Sequence, residues 1–277
     1  MEPAERGRRL IVNADDFGRS HSINQAVVRA HREGILTSAS LMVNEEGFAE
    51  AVALARENPR LGIGLHLTLL CGHSAQPPEH IPGLVDEQQR FSDNPVGVGF
   101  RYFARRELRA QLQAEIQAQF DKFAATGLPL DHVNGHLHLH LHPTVFSILM
   151  EKAQEWKITR FRLTRDPFWL NAKVRPGRWV YCAVHAFIYS ILSARARPVL
   201  RQKKIKHTAR VFGLLQNARV DEDYIRRLLP GLPAGDSELY SHPSLDQFKD
   251  ELDALLSPRV RTLLQTSSIK LIRYQDL

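Results

Sequence analysis

Short apolar runs that end in an acidic residue or a histidine, alternating with amphipathic helical stretches, constrain this chain more than any other feature. Residues 10–13 lead into ADDFG, residues 61–67 (LGIGLHL) carry His66, residues 130–141 carry a histidine series, and residues 238–241 stand just before His242. Residues 36–43, 160–163 and 269–274 complete the strand-like set. Between them, residues 22–33 carry Ile23, Val27 and Ala30 at helical spacing, with Gly34 as a C-cap. Residues 48–57, 103–126, 144–156, 222–229 and 245–256 also read as helices, the longest with Leu108, Leu112, Ile116, Phe120 and Phe123 on one stripe. Residues 70–98, rich in Pro, Gly and polar side chains, read as a loop or lid. Strands and helices alternating at this spacing imply parallel βαβ units.

The polar residues gather where strands end, and in (β/α) barrels that is where the site lies. The fold expected is therefore α/β, an irregular or incomplete (β/α) barrel with a helical insertion. A chain of 277 residues fits one such domain over residues 1–277.

The insertion, at about 167–210, stands out by charge. Residues 167–220 hold eleven Lys and Arg and no Asp or Glu; removing these eleven from the net charge of +7 leaves −4 for the rest. Basicity confined to one segment argues for a local interaction surface and against a nucleic-acid footprint. Within it, WVYCAVHAFIYSIL (179–192) is too short to span a bilayer but suits an interface, with cationic residues on both sides. Peripheral membrane contact through 173–210 is the expectation, set against a helix packed on the barrel. The N-terminus lacks the apolar stretch of a secretory signal, and Cys71 and Cys182 form no framework. Reduced thiols and a cytoplasmic location, peripheral on the inner membrane, follow as expectations.

Asp15 and Asp16, adjacent at the end of an apolar run, cost desolvation and repulsion unless a cation or donor compensates. In a turn both can face a site, one as ligand and one as base. The segment DHVNGHLHLHLHP places five of the thirteen histidines at 132, 136, 138, 140 and 142. In a strand, His136, His138, His140 and His142 would share one face, which has little structural purpose without a metal or substrate. Spacing alone does not say which of them bind. His66 supplies an imidazole on a neighbouring strand, so that Asp, His and His would leave coordination positions open, as hydrolytic metal sites require. His242 is a candidate general acid. Arg162 and Arg165 flank another strand end and could bind an anionic or hydroxyl-rich group.

Five ordered motifs carry a family resemblance: IVNADDFG (11–18), GILTSASLMVN (34–44), GLHLTL (64–69), HVNGHLHLH (132–140) and ELYSHP (238–243). Together they resemble the YdjC/ChbG family of carbohydrate deacetylases, over about 9–166 and 211–274. The resemblance implies an irregular (β/α) barrel holding one divalent metal, magnesium or zinc foremost, through Asp16, His66 and His136. Asp15 would be the base and His242 an assisting acid. Apart from the resemblance, His138 and Arg162 are expected at the substrate. Where the family often has Asp-Ser before the ligand histidine, this chain has Asn134–Gly135, which could alter the orientation of the ligands. The nearest branch is that associated with bacterial hopanoid biosynthesis. It implies removal of an acetyl group from an N-acetylated sugar, an N-acetylglucosaminyl hopanoid lipid or related glycolipid. Two other readings stand beside it, a metal-dependent phosphoesterase and a non-catalytic glycolipid-binding barrel, and a homodimer is left open.

Overall fold

The computed structural model describes residues 7–216 and 218–277. The elements run β1 (Arg8–Phe17), α1 (His21–Glu33), β2 (Ser38–Leu41), α2 (Phe48–Glu57), β3 (Gly62–Leu67), α3 (Pro95–Ala104), α4 (Leu108–Ala125), β4 (Val133–Gly135) and α5 (Pro143–Glu151). They continue with α6 (Phe168–Val174), α7 (Trp179–Gln202), β5 (Arg210–Phe212), α8 (Glu222–Leu228), β6 (Gly235–Ser241), α9 (Lys249–Leu256), α10 (Pro258–Thr266) and β7 (Ile269–Leu271).

Among the described residues these seven strands pair in parallel, in the order β4-β3-β2-β1-β6-β5, with β7 joining β1. Residues 159–165 bridge the two edges of this curled sheet. Val133 N–H donates to Arg160 O (3.1 Å) on the β4 side, and Val211 N–H donates to Arg165 O (3.0 Å) on the β5 side. The expected strand at 160–163 is thus an irregular stave, and the sheet is the incomplete barrel that the sequence implies. Leu10, Val12, Leu41, Leu65 and Leu239 are buried within it, because a parallel sheet is covered on both faces.

Several boundaries differ from expectation. The helix expected over 103–126 is two helices, since Arg105 adopts an extended backbone between α3 and α4. Asn94 caps α3 through the Gly97 N–H with Pro95 in its first turn, so the last residues of the expected loop are helical. Ser257 caps α10, with Pro258 in its first turn, and neither α10 nor β5 was expected. The largest correction concerns residues 130–141. The strand stops at Gly135, and Leu137 and His138 take left-handed backbone angles (φ 47° and 59°) in a 3-10 turn. The histidines after it therefore share no face.

Candidate active site

At the end of β1 the pairing with β2 shifts register between Ala14 and Phe17, and Asp16 has φ 64°. A strand would point Asp15 and Asp16 to opposite faces; this irregularity lets both reach one site. Gly18 (φ 93°) completes the turn, and a Cβ there would stand 2.6 Å from Met42 O.

Asp16, His66 and His136, all buried, each offer one ligand atom, and these atoms lie within 4.8 Å of one another. His136 Nδ1 is 2.9 Å from Asp16 Oδ1, and His66 Nε2 is 3.3 Å from the same oxygen. The other Asp16 oxygen accepts from Arg19 Nη1 at 3.0 Å. His66 Nδ1 lies 2.7 Å from Asn134 Oδ1. That oxygen only accepts, so Nδ1 carries the proton and the lone pair of Nε2 faces Asp16 and His136. Nε2 is buried with no hydrogen-bond partner among the described residues. An orphaned imidazole lone pair beside a carboxylate oxygen and a second imidazole fits a divalent cation with three protein ligands and open positions.

Asp15 lies behind the triad in a full set of donors. Its Oδ1 accepts from Asn13 Nδ2 (2.9 Å), Asn134 Nδ2 (3.2 Å) and Arg162 Nη2 (2.9 Å), and its Oδ2 from Arg162 Nη1 (2.6 Å). Burial pushes the Asp15 carboxyl up, but the Arg162 guanidinium against it outweighs burial and holds the group well below the usual carboxylate range. Arg162 is corrected as a substrate contact: it has no exposed surface, and Glu238 Oε1 accepts from its Nε and Nη2 at 2.9 and 2.5 Å. Tyr274 hydroxyl donates to the other Glu238 oxygen.

The five clustered histidines separate by role. His132 is buried between Asp131 and Ser40, its ring stacked on Tyr274 at 4.1 Å. His140 Nε2 donates to Arg162 O, and burial, with Arg162 adding to it, depresses its pKa to about 3. His142 Nε2 donates to Gly99 O at 3.0 Å. His138 faces Tyr240 hydroxyl through Nε2 (2.9 Å) and Thr164 through Nδ1 (3.3 Å); burial and Arg162 keep it neutral. Only His136 joins the ligand group.

A cavity of about 250 Å³ opens on the triad, lined by Asp15, His66, His136, His138, Tyr240 and His242, with Tyr181, His185 and Tyr189 of α7 forming a further wall. His242 keeps 21% of its side-chain surface exposed there, with Nδ1 4.0 Å from Glu251. Asp16 also borders a polar groove of about 500 Å³ that holds Arg19, Glu45, His73, Arg90 and Asp246. Arg165 is outside both sets of lining residues.

Sequence reasoning missed Asn13, Ser40, Glu238 and the α7 wall. A polar residue inside an apolar strand run was the available signal for the first three. Nothing in the spacing of Tyr181, His185 and Tyr189 showed which face of α7 meets the barrel.

Carbohydrate deacetylase of Brevibacillus brevis is 42% identical over 153 residues, 54% of this chain and 57% of that protein. Chitooligosaccharide deacetylase of Proteus mirabilis is 39% identical over 149 residues, 53% of this chain and 55% of that protein. The chain therefore spans about half the length of the curated relatives it matches. In fold, the crystal structure of a protein from Enterococcus faecalis V583 covers 98% of both chains with a TM-score of 0.74 at 22% identity. The model of one family, described as YdjC-like protein, matches residues 9–266 and so takes in every residue of the triad, its donors and the insertion; the chain belongs to that family.

Proposed function

We propose that this chain is a metal-dependent hydrolase that removes the acetyl group from an N-acetylated sugar. The observation that carries the reading is the Asp16–His66–His136 group with the buried carboxylate of Asp15 beside it, at the ends of parallel strands. The carbohydrate deacetylase and chitooligosaccharide deacetylase names of the relatives support it.

A divalent ion at the triad would act as Lewis acid on the acetyl carbonyl and make water a nucleophile near neutral pH. Asp16, His66 and His136 would hold the ion, and Asn134 fixes the His66 tautomer that can do so. Asp15 takes the proton of the attacking water on Oδ2, which among the described residues accepts from Arg162 alone where Oδ1 already accepts from Asn13, Asn134 and Arg162. Arg162 and Glu238 position Asp15 and keep its carboxylate from turning. His242 gives a proton to the leaving amine from the open side of the cavity, and His138 with Tyr240 contacts the sugar.

The finer reading of the substrate is an N-acetylglucosaminyl lipid of the hopanoid kind or a related glycolipid. An aromatic-walled cavity that reaches His66 and His136 and a polar groove that reaches Asp16 support an amphiphilic molecule. Such a substrate implies work at a membrane surface, and among the described residues no helix is long and apolar enough to cross one.

The test is acetate release, followed by mass spectrometry, across N-acetylated sugars and glycolipids with purified protein and counted metal. Acetate release that needs one divalent ion per chain, and that is lost in Asp15→Asn, is the expected result. No acetate from any N-acetylated sugar, or full activity in Asp15→Asn, overturns the reading.

A further inference from the structure

We infer that α3 and α7 together form a docking surface for an anionic lipid bilayer, beside the mouth of the cavity. The inference goes beyond the proposed reaction, because nothing in it depends on deacetylation.

Large apolar side chains in water concentrate on these two helices. On α3, Val96, Phe100 and Phe103 follow at helical spacing, and Phe100 is 74% exposed. On α7, Val180, Phe187 and Ile191 lie on one stripe, and Phe187 is 68% exposed. The opposite face of α7 packs inward through Cys182, Ser193, Ala196 and Leu200. Both helices pack against α5. Both also reach the same cavity, α3 through Pro95 and α7 through Tyr181, His185 and Tyr189. Exposed apolar patches such as these two helical stripes mark interaction sites in soluble proteins.

Charge selects the occupant. Residues 94–106 hold no Asp or Glu, like residues 167–220. Exposed Arg105 and Arg106 end α3, and exposed Arg195, Arg201, Lys203 and Lys204 follow the apolar stripe of α7. A second copy pairing through this face would set cation against cation. An anionic bilayer offers apolar depth to the rings and phosphate to the flanking cations, the arrangement of interfacial helices. Contact is peripheral, since neither helix is long and apolar enough to cross.

Co-sedimentation of the full chain with vesicles of phosphatidylcholine and phosphatidylglycerol, against phosphatidylcholine alone, tests the surface. Two double variants accompany it, Phe100→Glu with Phe103→Glu and Phe187→Glu with Ile191→Glu; all four positions are exposed, so the fold is kept. Expected is binding to the anionic vesicles that weakens on the order of tenfold or more in each double variant. Acetate release from a short water-soluble N-acetylated oligosaccharide should stay unchanged in both. Absent vesicle binding, or binding equal in wild type and both variants, overturns the surface. So does a wild-type dimer in solution that either variant dissociates. Acetate release is read separately, so loss of the surface and loss of the reaction are distinguishable.

Discussion

His66 and Asn134 are register partners across β3 and β4, and their side chains meet at 2.7 Å through His66 Nδ1 and Asn134 Oδ1. Asn134 also donates to Asp15 Oδ1 and to Ser40 Oγ, so its amide has a single orientation that satisfies all three partners. One side chain thereby fixes which nitrogen of His66 is free for a cation and touches the carboxylate of the proposed base.

Replacing Asn134 with Leu, close in size, removes the acceptor. His66 can then carry its proton on Nε2, which faces Asp16. Affinity for Zn²⁺ should fall about 10–100-fold, the usual effect of losing a partner of a ligand histidine. Equilibrium dialysis against a competing chelator measures it. An unchanged affinity would show that the contact does not set the tautomer.

Arg162 stands between two buried carboxylates, Asp15 and Glu238, and stacks over the Tyr240 ring at 4.6 Å. Arg162→Met keeps much of the volume but leaves both carboxylates buried without their cation. The loss of stability should be about 3–5 kcal/mol, read as a lower urea midpoint. Asp15→Asn keeps the size and one accepting oxygen, sets its amide N–H₂ against one of the donors now held by the carboxylate, and leaves Glu238 to balance Arg162, so it should cost less stability than Arg162→Met while abolishing acetate release. A variant order with Asp15→Asn the less stable of the two would contradict this account.

Much of the barrel was legible because strands and helices alternate and each strand ends in a polar signal. Asp15, Asp16 and His66 could be picked out for that reason. The histidine series was legible as a cluster and misleading in its geometry. Strand periodicity at 136–142 is a local pattern, whereas the left-handed turn at Leu137 and His138 is set by how the chain leaves β4. Choosing His136 from the series rested on family resemblance. Glu238 and Asn13 lie in runs whose apolar neighbours announce a buried strand, but their partners come from 76 and 27 residues away, beyond the reach of local spacing. Ser257 and Pro258 carried a helix-start signal for α10 that went unused.

Gly64 tests the placing of His132 as a packing residue. A Cβ at Gly64 would stand 2.5 Å from the His132 ring, which is itself held against Tyr274 and has no room to retreat. Gly64→Ala should cost about 1–3 kcal/mol, the range for overpacking a core. Thermal melting at fixed pH shows it, and a variant as stable as wild type would mean that the His132 layer is loose.

Asp166 provides the pH dependence. It is buried at the base of α6, where its carboxylate accepts from Leu215 N–H and Asn171 Nδ2. Burial dominates those hydrogen bonds and pushes its pKa from 3.8 up to about 7. The folded chain therefore keeps this proton over a range in which the unfolded chain has released it. Stability contributed here is full below about pH 4, falls as pH rises toward 7, and changes no further above that. The span corresponds to about 4 kcal/mol at most. Asp166→Asn removes the titration. The difference in unfolding free energy, wild type minus variant, should therefore decline steadily between pH 4 and 7 in urea titrations. A difference that stays flat over that range would place the proton elsewhere.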